Sequence, residues 1–311
     1  MPKPIKPPAP VTYTLTGGSL ADTLEAVGGQ LKLNGVVKTP TAGATQITLN
    51  AGDGNDVVRI DALHSFGGVP IFYDGGAGVD TIDFSQSTEG VAVQLYQSGR
   101  DWLNPQSVLT GFTLVLNSTL FPEYYAADDP SKSVISDSST VKTANLLNFE
   151  NVIGSAYDDW IYLAHIDSNK SVAAGLKADG GAGNDYIQGW VGPDDLRGGS
   201  GDDFLFGKAG DDVLTGGTGA DQFQVLTYNG VDVVTDFNLA EGDHLNIAWQ
   251  QNTDVLPTSA SWYATTWTDA LGSVHAAIRA DFTGGGVILV DHTLDEVTAV
   301  MAATSIFDFG P

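Results

Sequence analysis

The chain has 311 residues, 42% of them hydrophobic, and carries 38 acidic side chains against 13 basic ones, for a net charge of −25. That balance disfavours nucleic acid and anionic membranes as partners and favours cations. There is no cysteine, so disulfides cannot staple the fold, and no apolar run reaches membrane-spanning length. Only six acids are glutamate (Glu25, Glu89, Glu123, Glu150, Glu241 and Glu296), so 38 − 6 = 32 are aspartate, and glycine occurs 38 times. Aspartate and glycine are residues of turns rather than helices, and the composition predicts a turn-rich, all-β protein.

In chain order, residues 1–10, MPKPIKPPAP, form a proline-rich arm with positive charge but no apolar stretch of the kind a secretory signal peptide needs. Residues 11–95 read as irregular windings punctuated by glycine–aspartate segments. GGSLADTLE starts at Gly17 and carries Asp22 and Leu24. AGDGNDVVR starts at Ala51 and carries Asp53, Asn55, Asp56 and Val58. GGAGVDTID starts at Gly75 and carries Ala77, Val79, Asp80 and Ile82. Residues 96–153 form a loop-rich segment whose insertion, roughly 96–143, holds Arg100, Trp102, Phe121, Tyr124, Tyr125, Asp128 and Asp129. Such a set suits a loop packed on the body of the protein, or a glycan or partner surface.

Residues 154–224 hold the strongest signal. After GSAYDDWIY, which starts at Gly154 and carries Asp159 and Ile161, five nine-residue units run without a gap from Gly180 to Gln224: GGAGNDYIQ, GWVGPDDLR, GGSGDDFLF, GKAGDDVLT and GGTGADQFQ. Position one is Gly180, Gly189, Gly198, Gly207 and Gly216; position four is Gly183, Gly192, Gly201, Gly210 and Gly219. Position six is Asp185, Asp194, Asp203, Asp212 and Asp221; position eight is Ile187, Leu196, Leu205, Leu214 and Phe223. A fixed short period is the signature of a solenoid. The glycines admit left-handed backbone, the aspartate supplies a hard anionic oxygen, and the apolar residue two places on sits in a short strand pointing inward. Two units make one winding of 18 residues. Turns 180–185, 198–203 and 216–221 therefore stack on one edge, and 189–194 and 207–212 on the other.

Stacking brings carboxylates of successive windings together beside converging carbonyls. Alone they repel; with Ca²⁺ they make an oxygen cage, and calcium tolerates irregular geometry better than magnesium does. The steps from 51 to 75 and from 154 to 180, 24 and 26 residues, read as longer windings on the same stack, with one continuous calcium edge. Residues 225–311 form a cap. NGVDVVTDFNLAEGDHLNI alternates Val231, Val233, Val234 and Phe237 into strands, and Trp249, Trp262 and Trp267 are expected to pack the cap. Phe204 and Phe206 flank inward Leu205, so both are expected to face outward under the cap or the insertion.

The nonapeptide GGxGxDxUx of these units resembles the RTX (repeats-in-toxin, hemolysin-type) calcium-binding repeat. The resemblance implies a right-handed parallel β-roll holding several Ca²⁺ ions, with ligands from carboxylates and turn carbonyls. Carried onto this sequence, the sites comprise Gly180, Gly181, Ala182, Gly183, Asn184 and Asp185; Gly189, Val191, Pro193 and Asp194; and Gly198, Ser200, Asp202 and Asp203. They continue with Gly207, Ala209, Asp211 and Asp212, and with Gly216, Thr218, Ala220 and Asp221. Among the degenerate turns they comprise Ala51, Asp53, Asn55 and Asp56; Gly75, Ala77, Val79 and Asp80; and Asp159. The 189–194 turn departs from the pattern at Trp190 and Pro193.

The end of the chain, VTAVMAATSIFDFGP, resembles the uncleaved C-terminal signal read by type I secretion. That implies the type I apparatus as partner, an extracellular or cell-surface location reached without an N-terminal signal peptide, and folding outside the cell on meeting calcium. No HExxH or GxSxG motif is present, and the five histidines (His64, His165, His244, His275 and His292) show no metal spacing. The expectation is a non-enzymatic protein of a surface layer, extracellular matrix or adhesion, partnered by itself or by a cell-surface polysaccharide, without nucleic acid or membrane insertion. The alternative is a polysaccharide-modifying enzyme or glycan-binding module on the same scaffold.

Overall fold

Position-eight residues point inward from strands of only three to six residues, too short to be stable alone, so each strand must pair with the winding above and below. The computed structural model describes residues 11–61, 65–66, 69–88, 90–96, 145–164, 175–227, 230–249, 261–282 and 284–308. The proline-rich arm lies outside the described residues, as do Arg100, Trp102, Phe121, Tyr124, Tyr125, Asp128 and Asp129. Within them the protein is an all-β parallel roll. One sheet of 13 strands runs its length, in the order Trp262–Thr268, Val274–Asp281, Gly285–Val290, Gly230–Val234, Val213–Thr218, Asp195–Ser200, Lys177–Ala182, Asn151–Ile153, Thr81–Asp83, Val57–Ile60, Thr23–Val27, Gln30–Leu33 and Val36–Lys38.

The remaining described strands form two further sheets. Seven strands run from Ala92–Tyr96 through Trp160–Ala164, Tyr186–Gln188, Phe204–Phe206, Gln222–Leu226 and His244–Trp249 to Thr304–Asp308. The other sheet aligns Thr12–Thr16, Gln46–Asn50, Val69–Asp74 and Asn145–Leu147, with Ser65–Phe66 paired to the third of these. Strands Asn145–Leu147 and Asn151–Ile153, grouped by sequence with the 96–153 segment, are rungs of the stack. They pair in parallel with 72–74 and with 81–83.

Register makes the core a set of straight columns. In the long sheet Leu24, Val58, Ile82, Val152, Ala178, Leu196, Leu214, Val234 and Leu289 are successive partners, all buried. In the seven-stranded sheet Val93, Ile161, Ile187, Leu205, Phe223 and Leu245 form the facing column. The perfect repeats advance 18 residues per winding on both sides, as the period requires.

Outside the roll, Trp160, Tyr186 and Phe204 stack along the strand-pairing direction, with ring centroids 4.4 and 4.9 Å apart. Phe206, whose neighbours in space are Leu226 and Ala248, is buried on that face. Phe204 and Phe206 thus lie on the outer face, as the flanking of Leu205 predicts, with Phe204 only partly covered. Antiparallel hairpins close both ends of the long sheet, through Thr23–Val27 to Val36–Lys38 and through Trp262–Thr268 to Gly285–Val290. In the cap Trp262 is buried and donates its Nε1–H to Met301 Sδ at 3.2 Å, and Trp267 packs on a small cluster with Val233 and Ile288. Phe237 is buried against Phe223. No helix among the described residues is long and apolar enough to cross a membrane.

Candidate metal centre

The turns enter the two sheets along two edges. Turns 17–22, 51–56, 75–80, 189–194 and 207–212 each lead into a strand of the 13-stranded sheet. Turns 154–159, 180–185, 198–203 and 216–221 each lead into the seven-stranded sheet. The expectation of one continuous calcium edge is therefore corrected: turns 51–56 and 75–80 lie on the opposite edge from 154–159 and 180–185. The path switches edges because residues 84–91 and 148–150 fill places in the stack without a glycine–aspartate motif.

Along each edge the position-six aspartates form a ladder. Each carboxylate Oδ1 accepts the backbone N–H of the equivalent residue one winding earlier. Asp185 accepts from Asp159 at 2.7 Å, Asp203 from Asp185 at 2.8 Å, Asp221 from Asp203 at 2.9 Å, and Asp243 from Asp221 at 2.9 Å. On the other edge Asp56 accepts from Asp22, Asp80 from Asp56, and Glu150 Oε2 from Asp80. Further along, Asp194 accepts from Leu176, Asp212 from Asp194, and Asp232 from Asp212.

Position five laces the turns in the reverse sense. Asn55 accepts from Val79 N, Asp158 from Asn184 N, Asn184 from Asp202 N, Asp202 from Ala220 N, and Asp211 from Val231 N. The glycines have a steric role as well. Gly201 has φ 127°, and a Cβ there would strike Gly183 O; Gly78, φ 152°, stands in the same relation to Gly54 O.

Tying one carboxylate oxygen leaves the other. Oδ2 of Asp56, Asp80, Asp185, Asp203, Asp212 and Asp221 is buried and has no hydrogen-bond partner. A buried carboxylate oxygen without a donor is costly, and six in register mark places shaped for a positive charge. Burial is the main reason that these carboxyls resist ionisation, and neighbouring acids add to it. Asp185 is pushed up to about 8, Asp203 to about 7, and Asp80 and Asp221 to about 6. Asp212 and Asp232 are both raised by burial first; the charge of Asp194 adds to it at Asp212, and the charge of Asp212 adds to it at Asp232. Among the described residues no three His, Cys, Asp or Glu side chains converge on one point, so any cation here must take much of its coordination from turn carbonyls. Hard oxygen donors, backbone carbonyls and an adaptable turn geometry fit Ca²⁺.

Sequence reasoning missed the groups that end the ladders. Asp236 accepts Gly216 N–H and Gly217 N–H at 2.9 and 2.8 Å, Asp243 Oδ2 accepts from Asn238 N, and Glu150 receives Asp80 N–H. The acids in TDFNLAEGDH were visible, but without the nine-residue period nothing in the sequence placed them on the turn rows.

Fold and site define a parallel β-roll with acidic turns stacked for calcium. Residues 178–205 and 191–223 match the family model of the RTX calcium-binding nonapeptide repeat (4 copies). The chain carries RTX repeats, and those repeats bind Ca²⁺. No curated protein matches the chain. Among solved structures it is similar to the extracellular lipase LipA from Serratia marcescens, at 16% identity and a TM-score of 0.30, over 96% of this chain and 40% of that one. The chain thus spans less than half the length of that lipase.

Proposed function

We propose that this calcium-binding roll is an extracellular, non-enzymatic structural protein of a surface layer, matrix or adhesion, which type I secretion exports unfolded and extracellular calcium folds. The observation that carries this reading is the set of buried, unpartnered Oδ2 atoms on both turn edges. Without a cation they oppose closure of the stack; a bound Ca²⁺ supplies the charge and coordination that would make the same atoms cohesive. The ligands in this reading are the position-six carboxylates with the carbonyls of their turns. Extracellular calcium sites fill at about 10⁻⁴–10⁻³ M, above cytosolic levels, so the chain stays open for export and closes outside. The net charge of −25 keeps the calcium-free chain expanded.

The test is calcium addition to the full chain, followed by light scattering and electron microscopy, with an assay for turnover of acidic polysaccharides alongside. Ordered assemblies without turnover support the reading. A folded monomer that cleaves or epimerises such a glycan contradicts it.

A further inference from the structure

The nine glycine–aspartate turns are not built alike. In six of them the second residue has a left-handed backbone: Gly52, Gly76, Gly181, Gly199, Lys208 and Gly217, with φ between 74° and 118°. These are the six turns whose aspartate Oδ2 is buried and unpartnered. In the other three the second residue, Gly18, Ser155 or Trp190, does not have positive φ. There its N–H turns into the loop and donates to the aspartate's own Oδ2, in Asp22, Asp159 and Asp194. Oδ1 is engaged as well, by Asn34 in Asp22, by Val91 N and Ser155 Oγ in Asp159, and by Leu176 N in Asp194. The two states compete for one oxygen. A backbone N–H closes the turn internally, or the oxygen stays open for a cation.

We propose that this choice sets metal occupancy turn by turn, so that turns 51–56 and 75–80 form a calcium array of their own, separate from the array in the nonapeptide repeats, while Asp22, Asp159 and Asp194 bind no ion. The inference rests on the calcium reading above and narrows its ligand set. The N-terminal pair stands outside residues 178–223, which match the repeat model, yet it reproduces the architecture of the matched turns. Asp56 and Asp80 are buried, both with an open Oδ2. Asp53 and Ala77 bridge in parallel, and a Cβ on Gly76 would strike Gly52 O as one on Gly199 would strike Gly181 O. Along its edge the pair is separated from the open turn 207–212 by Glu150, Leu176 and the closed turn 189–194. Residue type alone does not give this division: Gly18 is a glycine in a closed turn, and Lys208 is not one in an open turn. The Lys208 ammonium lies 5.3 Å from the Trp190 ring and 5.2 Å from the Phe206 ring, contacts that offset its left-handed strain.

The experiment is bound calcium per full-length chain, by equilibrium dialysis and atomic emission, in wild type, Asp80→Asn, Asp203→Asn and Asp194→Asn. A loss of bound calcium in Asp80→Asn and Asp203→Asn, with none in Asp194→Asn, is the expected result. Loss in Asp203→Asn but not in Asp80→Asn overturns the N-terminal array and leaves the calcium roll standing. Equal loss in Asp194→Asn and Asp203→Asn overturns the two-state division, and a wild type that binds no calcium overturns both readings. An anomalous difference map of calcium-loaded wild-type crystals needs no variant. It should show an ion in contact with Asp56 or Asp80 and none on Asp22, Asp159 or Asp194; the reverse pattern contradicts the proposal.

Discussion

Asp203 and Asp158 are both turn carboxylates, but only Asp203 has an open buried oxygen; Asp158 is exposed and accepts from Asn184 N. Asp203→Ala should therefore raise the calcium midpoint of folding several-fold more than Asp158→Ala does, in a titration followed by circular dichroism. Equal midpoints would remove the distinction between positions five and six. The same carboxyls set a pH dependence. In the metal-free fold Asp185 and Asp203 are pushed by burial to about 8 and about 7, above the value near 3.8 of a free aspartate. Between those limits the folded state binds more protons than the unfolded one, so metal-free stability is present at low pH and falls as pH rises through the folded values. In excess chelator the far-ultraviolet strand signal should therefore be stronger at pH 5 than at pH 8. A strand signal that grows from pH 5 to pH 8 would contradict the burial of these groups.

At the scale of the element, stability lies in columns rather than in single strands. Leu205 stands between Ile187 and Phe223 and is fully buried, so Leu205→Ala should cost about 2–5 kcal/mol in calcium-saturated denaturant unfolding. A cost below about 1 kcal/mol would mean that the column is not a packed core. Glycine substitutions separate strain from collision. Gly43, φ 84°, has open space at its Cβ position, whereas Gly201, φ 127°, faces Gly183 O. Gly43→Ala should cost about 1 kcal/mol of backbone strain, and Gly201→Ala should lower the melting temperature distinctly further because two windings must part. Equal shifts would show that the turns are not in backbone contact.

For the whole molecule, the sequence shows the part of the roll in which every winding repeats the same residue types. The 18-residue advance, the inward column from Ile187 to Phe223 and the two edges of the perfect block follow from the nine-residue period alone. The edge taken by the earlier turns does not, because Val91, Glu150 and Leu176 hold ladder places that carry no glycine–aspartate signature. Whether an aspartate is open or closed is likewise hidden, being decided by the backbone of the second turn residue rather than by its name. The central claim is that calcium holds successive windings together and that the bare polypeptide does not close the stack at neutral pH. Far-ultraviolet circular dichroism of the full chain tests it most directly, first in excess chelator and then in millimolar calcium. In chelator the strand signal should be weak, with no cooperative melt, and calcium should restore both. Superimposable spectra and melting curves in the two conditions would contradict it.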